Sequence, residues 1–468
     1  VVRAGQVELE HDVDPARRPE LVFVAAAVAC RTGARFARST LDRLAARTPA
    51  PTEPWDADLR ARFVGLLLAG RPAIGVVEAL DHVGLWTRYL PEWDEVRSHP
   101  QRNAYHRFTV DRHLLETVAG AAALAERVDR PDLLVLGALF HDLAKARPGD
   151  HCEVGVDLAG EALARMGVAA EDRATVAWLV RHHLLLAEVA TRRDVTEPAT
   201  VAAVAEQVGD RGRLALLAAL TEADSVATGP AAWSPWKAGL LAELVRRVDH
   251  HLAGGDPAAL ASSRFPDEGL RARAAAGRTG VEVEEDRVTV VAADRAGLLE
   301  RITGVLAIEG LSVLAADAAS VAGHAVARFR VTPTPGVVVD RERTADRIDA
   351  ALAGRLAIEA RLAARARSPL TRDRTVAVAG GVVVDVRFDD AASPTATVVE
   401  VRAPDSAGLL HRLVRAIGEL DLVVRTLKAQ TSAGVAIDAF YLHDRDGEPV
   451  TDAARRRELD LALRHAAS

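Results

Sequence analysis

The chain has 468 residues, 59 of them basic and 66 acidic, for a net charge of −7, and 49% of it is apolar. That length predicts about three domains, and the acidic balance argues against a nucleic-acid or anionic-membrane partner. The two cysteines, Cys30 and Cys152, cannot build a disulfide framework or a zinc–cysteine cluster, so a reducing, cytoplasmic compartment fits.

Residues 1–100 read as helical. Within an apolar stretch over 19–31, the run from Leu21 to Cys30 is too short to span a bilayer. The N-terminus lacks the basic and apolar regions of a signal peptide. Helical text continues over 41–45, 59–68 and 73–83, the last with Ile74, Val77, Leu80 and Val83 at helix spacing. A Pro/Thr loop covers 48–54. No phosphate-cradling glycine loop occurs here, and Asp12-Val13-Asp14 reads as a polar turn. The chain begins with valine and its one methionine is Met166, which implies a valine-coded start or a piece of something longer.

Residues 101–250 predict an all-α domain, with helices over 110–124, 133–145, 152–166, 173–187, 201–207 and 214–224. Gly149-Asp150 breaks the chain before His151, and Gly167 stands where a helix ends. An apolar run from Leu133 to Phe140 delivers His141-Asp142, and Lys145 follows one turn after His141 on the same expected helix face. Around this pair stand His113, His151, His182, His183 and Asp224. A lone histidine in a helix is more often packed or exposed than a ligand. Here five of the 15 histidines, with two acids, fall in one stretch. Imidazoles and carboxylates bind first-row divalent ions without thiolates, and a carboxylate such as Asp142 can bridge two ions. Such a pair, about 3.5–4 Å apart, activates water and neutralises a phosphoester. Lys145 could then touch a phosphoryl oxygen. His106 stays unassigned. His250 and His251 close a helix, where a cation suits the dipole.

Residues 251–285 read as a linker with some helix. From 286 the texture becomes α+β, and an internal repeat appears at a constant offset of 111. Asp294/Asp405, Gly297/Gly408, Leu298/Leu409, Leu299/Leu410, Leu311/Leu422, Gly323/Gly434 and Phe329/Phe440 all pair in one ungapped register. Each copy reads strand, tight Asp-x-x-Gly turn, helix, strand, strand. Gly297 and Gly408 sit where a turn feeds a helix, a place that favours positive φ or a close backbone approach. The amides of such a helix start can hold a carboxylate.

These residues resemble a known group. His113, His141-Asp142 and Asp224 match the pattern of the HD-superfamily metal-dependent phosphohydrolases, with His151 and His182-His183 resembling the added ligands of two-metal members. The wider text is similar to the bifunctional uridylyltransferase/uridylyl-removing enzymes that modify the PII nitrogen-signal protein. Tyr105-His106-Arg107-Phe108-Thr109-Val110-Asp111-Arg112-His113, Phe140 to Lys145, Gly149-Asp150-His151, Leu179 to Leu184 and Ala223 to Pro230 carry that likeness. So do the two turns Asp294-Arg295-Ala296-Gly297-Leu298-Leu299 and Asp405-Ser406-Ala407-Gly408-Leu409-Leu410, which look like those of paired ACT domains. The resemblance runs from about residue 18 to 445. It departs from the family in showing no nucleotidyltransferase text, in Ser406-Ala407 for the usual Arg-Pro, and in Ala296 for proline.

The resemblance implies a helical segment (1–100), an HD domain (101–250), a linker (251–285), and two ferredoxin-like ACT domains (286–365 and, with its preceding linker, 366–468). It implies Mn²⁺ or Mg²⁺, one or two ions, on His113, His141, Asp142, His151, His182, His183 and Asp224, with Asp142 and Lys145 catalytic. It further implies removal of a uridylyl or adenylyl group from PII, under control of glutamine held at Asp294, Arg295, Gly297, Leu298, Asp405, Gly408 and Leu409. Two alternatives stand beside it: an HD hydrolase of guanosine polyphosphates or nucleotides, against which the missing synthetase-like segment weighs, and a non-enzymatic PII/glutamine sensor.

Overall fold

The computed structural model describes residues 1–101, 107–230, 232–256, 265–334, 336–367, 383–432 and 434–468. Tyr105 and His106 therefore lie outside the described residues, as does most of the stretch before the second repeat. The chain divides into two compact units: Val1–Ala187 with Ala205–Ala253, and Glu188–Val204 with Gly254–Ser468. Among the described residues no single helix is long and apolar enough to cross a membrane.

The first unit is helical, as expected, apart from a small sheet of three two-residue strands, β1 (Val2–Arg3), β2 (Gln6–Val7) and β3 (Arg35–Phe36). These strands are too short to leave an alternation in the sequence. The helices α1 (Leu21–Thr32), α2 (Arg38–Arg47), α3 (Ala57–Leu68), α4 (Arg71–His82), α5 (Trp86–Tyr89) and α6 (Trp93–Val96) come next in the chain. They close over an aromatic cluster in which Phe23, Trp55, Phe63, Trp86, Tyr89 and Trp93 meet edge-on or stacked, with ring centroids 4.6–5.9 Å apart. Each such pair contributes about 0.5–1.5 kcal/mol beyond its buried area. The expected segment 1–100 thus belongs to the same compact unit as residues 110–187 and is not a separate piece.

The chain continues with α7 (Val110–Ala123), α8 (Pro131–Phe140), α9 (His151–Arg165), α10 (Ala170–His182), α11 (Leu185–Arg192), α12 (Pro198–Val208), α13 (Arg211–Thr228) and α14 (Pro235–Leu252), of which most of α11 and α12 belongs to the second unit. Helix α8 starts on Pro131, which suits a first helical position, and buries Leu133 through Phe140 without a break. A helix that is apolar all round belongs in the centre of its unit. It ends at Phe140, five residues before the expected end at 145. His141 still donates its amide to the Gly137 carbonyl, and then Leu143, Lys145 and Arg147 each donate to the residue three back. The chain tightens into successive turns, so Asp142 and Lys145 sit in a turn and not on a helix face. The helix expected over 173–187 is likewise two: α10 stops at His182 and α11 begins at Leu185.

Residues 188–204 were expected inside the 101–250 domain, yet they pack with the second unit. There Thr191 donates to Gln430, the Asp194 amide donates to the Tyr441 hydroxyl, and Arg193 donates to Glu400 and Asp389. Polar contacts made so far along the chain leave no local signal.

The second unit adds α15 (Glu268–Ala275), β4 (Gly280–Val283), β5 (Arg287–Ala293), α16 (Leu298–Glu309), β6 (Leu311–Val321), β7 (His324–Pro333), α17 (Arg341–Leu352) and α18 (Ile358–Ala366). The second copy is β8 (Asp385–Phe388), β9 (Thr397–Pro404), α19 (Leu409–Glu419), β10 (Val423–Ser432), β11 (Val435–His443) and α20 (Ala453–Ala467). Strand, turn, helix, strand, strand is observed in both. Both turn glycines, Gly297 and Gly408, have φ of 77°. Strand β4 starts before 286, so the stretch assigned to a linker already belongs to the sheet.

The two copies do not form separate sheets. They join into one of eight strands, ordered β4-β5-β7-β6-β10-β11-β9-β8. At the seam β6 and β10 run antiparallel, with Ala316 opposite Leu427. Those two are repeat equivalents, so a local two-fold relates the copies, as in an isologous interface. Each copy's edge strand precedes it, whereas in the βαββαβ order the edge strand closes the unit. The inner face carries one continuous core, including Val288, Val290, Ile302, Phe329, Val399, Leu413, Leu427 and Phe440.

Candidate metal centre

Five elements of the first unit converge on one buried point. His113 projects from the first turn of α7, Asp224 from α13, and His141-Asp142 from the turn after α8. His151 opens α9, and His183 caps the end of α10. Gly155 lets α9 approach α10, since a Cβ there would stand 2.8 Å from the Val180 side chain.

The geometry separates into two sets. His113 Nε2 lies 3.3 Å from His141 Nε2 and 3.0 Å from Asp224 Oδ1. Asp142 Oδ2 faces the same pair of imidazoles at 3.6 and 3.5 Å. The other oxygen, Asp142 Oδ1, faces His151 Nε2 at 3.4 Å and His183 Nε2 at 3.7 Å. Asp142 therefore presents one oxygen to each set. It is 2% exposed, and among the described residues its Oδ1 has no hydrogen-bond partner. A buried carboxylate oxygen without a donor costs on the order of 1–3 kcal/mol or more, so a cation between Oδ1 and the two imidazoles fits the donor set.

Ring orientation is fixed from outside. The Nδ1 of His141 lies 2.9 Å from the Ala138 carbonyl, and that of His183 lies 2.7 Å from the Val180 carbonyl. Each Nδ1 donates to its carbonyl, which leaves Nε2 as the electron-pair donor, the tautomer that binds metals.

Electrostatics agree. Burial works to neutralise Asp142, but His141, Lys145, His183 and His113 outweigh it and hold the carboxyl far below its usual range. Asp224 is likewise depressed: burial opposes ionisation, and hydrogen bonding to His113 and His141 overcomes it. For His141, burial lowers basicity, while Asp142 and Asp224 reverse the sign and raise it. Burial, and then the His141 charge, push His183 down to about 4. These groups hold anionic carboxylates beside a neutral His183, the protonation states that ligate a divalent ion.

Two expected residues behave differently. His182 stacks on Trp178, with ring centroids 4.8 Å apart, while its neighbour His183 enters the cluster. Consecutive helical positions lie about 100° apart, so two adjacent imidazoles at a helix end do not aim at one point. Lys145 Nζ donates to Asp142 Oδ2 at 2.6 Å and remains 27% exposed. A residue not anticipated is Cys152, whose sulfur lies 3.6 Å from His151 Nε2. Its one sequence signal was adjacency to His151.

In the repeats, Asp294 and Asp405 make the same backbone bond, each amide donating to the carbonyl of the equivalent Gly323 or Gly434. Leu298 and Leu409 point into the core, so only their backbone is available at the turn. Asp294 and Arg295 are exposed.

Residues 110–227 match the HD domain, and with the His, His-Asp and Asp set gathered at one point this indicates a metal-dependent hydrolase. The chain is moreover homologous, over nearly its whole length, to bifunctional uridylyltransferase/uridylyl-removing enzymes. It is 40% identical to that of Streptomyces coelicolor, with 99% of this chain and 61% of the relative aligned. It is 38% identical to that of Mycobacterium tuberculosis, over 93% of this chain and 56% of the relative. For that of Corynebacterium glutamicum the values are 37%, 67% and 43%. The chain thus spans only part of the length of the relatives it matches.

Proposed function

We propose that this chain is a metal-dependent phosphodiesterase that removes a nucleotidyl group from the PII signal protein, controlled by glutamine. The observation that carries the reading is Asp142, with its two oxygens turned to separate sets of nitrogens and Oδ1 left without a hydrogen bond among the described residues. His113, His141, Asp142 and Asp224 would hold one divalent ion, Mn²⁺ or Mg²⁺, and Asp142, His151 and His183 a second.

Bound there, such ions supply an activated water and neutralise phosphoester charge. The protein's own part is orientation. The Ala138 and Val180 carbonyls keep two imidazoles in register, Asp142 spans the two positions, and the partly exposed Lys145 is placed to steady a phosphoryl oxygen. His182 is left out of this ligand set.

The two C-terminal copies are read as ACT modules, supported by the repeated Asp-x-x-Gly turns with positive-φ glycines before α16 and α19. Glutamine would meet the turn residues Asp294, Arg295, Gly297 and Leu298, and Asp405, Gly408 and Leu409, the leucines through their amides. A cytoplasmic site of action goes with this reading.

The test is direct. The purified chain with Mn²⁺ should release a mononucleotide from modified PII, and offering uridylyl-PII and adenylyl-PII in parallel identifies the group. His141→Ala combined with Asp142→Ala should abolish release. Hydrolysis by that double variant at the parent's rate would overturn the reading.

A further inference from the structure

We propose that Cys152 is a fourth protein donor at the second metal position, making that position selective for a borderline ion of the Zn²⁺ type over Mn²⁺ or Mg²⁺. This rests on the two-ion reading of the HD centre and refines its second half.

The case is geometric. The Cys152 sulfur is 3.6 Å from His151 Nε2, and it lies beside the His183 ring, 3.9 Å from Nδ1, the nitrogen bonded to the Val180 carbonyl, while Nε2 is the one that faces Asp142. Donor atoms of His151, Cys152 and His183 all fall within 4.8 Å of one another. In a tetrahedral site with metal–sulfur and metal–nitrogen bonds of roughly 2.3 and 2.0–2.1 Å, sulfur and nitrogen donors lie about 3.5 Å apart. The His151–Cys152 separation meets that spacing without rearrangement.

A second observation points to a ligand at the same place. Asp142 Oδ1 is buried, accepts no hydrogen bond from the described residues, and faces His151 and His183. Two imidazoles, one carboxylate oxygen and one sulfur make a four-donor set. The first position, by contrast, has two imidazoles and two carboxylates and no sulfur.

The backbone supports this placement. Asp150 caps α9 by accepting the Cys152 amide at 2.8 Å, which fixes Cys152 at the start of the helix beside His151. A thiol that enters a metal site binds as thiolate and loses its proton to solvent. A thiolate favours Zn²⁺ and disfavours the hard, oxygen-seeking Mg²⁺ and Mn²⁺.

The experiment loads the full chain with Co²⁺ and reads its absorption spectrum. The parent should bind two ions per chain and show a thiolate-to-cobalt charge-transfer band in the near ultraviolet. Cys152→Ser should lose that band while keeping the visible bands of cobalt held at the first position. In the unaltered protein, mass spectrometry should show that Zn²⁺ protects Cys152 from alkylation, while Cys30 is alkylated equally with and without metal. A band that persists in Cys152→Ser, or cobalt binding by the parent without any such band, refutes the assignment and leaves the two-ion hydrolase standing. A parent that binds no divalent ion overturns both.

Discussion

Asp438 offers a quantitative test of the C-terminal unit. It lies on β11 opposite Val401 and Ala429, and both of these, like Phe440 two residues on, belong to the apolar core. Cross-strand partners and residues two apart share a sheet face, so the Asp438 carboxyl points inward, and it is 4% exposed. Burial first, and the Asp405 charge second, push it up from the ordinary 3.8 to about 8. The folded state therefore keeps a proton that the unfolded chain gives up near pH 4. Its stabilising contribution is full below pH 4 and is lost as pH rises toward 8. At about 1.36 kcal/mol per pH unit, the loss between pH 5 and pH 8 is on the order of 4 kcal/mol as an upper bound. Asp438→Asn, nearly isosteric, cannot ionise and should lack this slope. The position equivalent to Asp438 in the first copy is Ala327, so the fold does not need a carboxyl there. The assay is hydrogen exchange of the β11 amides, with urea unfolding, for parent and variant at pH 5 and pH 8. The parent should weaken relative to the variant as pH rises. Parallel pH dependence of the two proteins would falsify the placement of a neutral Asp438 in the core.

Three further outcomes are expected. Gly155→Ala should destabilise the first unit by about 1–3 kcal/mol through overpacking against Val180, read as a lowered Tm; an unchanged Tm removes the close α9–α10 approach as a constraint. Arg193→Ala breaks ion pairs to Glu400 at 2.8 Å and Asp389 at 3.1 Å. Since Arg193 is only 23% exposed, a loss of about 1–2 kcal/mol is expected after screening, seen as faster hydrogen exchange over 188–204. Unaltered exchange there would mean that the segment is held by other contacts. Lys145→Met should lower kcat on nucleotidylated PII roughly 10²-fold while metal content stays at the parent's level, and an unchanged kcat removes Lys145 from the reaction.

The seam between the repeats explains why the second unit is one body. Ala316 opposes its own equivalent, Leu427, and the backbone kinks between Val313 and Ala315 and between the equivalent Val424 and Thr426. The same local sequence thus builds the same bulge twice, and the two bulged strands meet edge to edge. A strand edge left open would be a liability; here each copy covers the other's.

The sequence by itself determined much of this protein. Helix spacing set α1, α3, α4, α7, α9 and α13 to within a few residues, because an amphipathic period is a local property of the chain. The offset of 111 set the doubled strand-turn-helix-strand-strand unit, and the clustering of His and Asp in one stretch named His113, His141, Asp142, His151, His182, His183 and Asp224, with Lys145, as candidates. What only the tertiary structure decided depended on direction and on distant partners. The sequence could not end α8 at Phe140, because a run of apolar residues does not mark the turn that re-aims His141 and Asp142. Nor could it choose between His182 and His183, since that choice depends on which of two adjacent bonds faces α9. It could not see Cys152 beside the His183 ring, 31 residues away. It also could not assign residues 188–204 to the C-terminal unit, because the groups that hold them, from Asp389 to Tyr441, lie some 200 residues further along the chain. Periodicity is written in neighbours, whereas a buried His/Asp cluster and a shared sheet are written in contacts that only folding brings together.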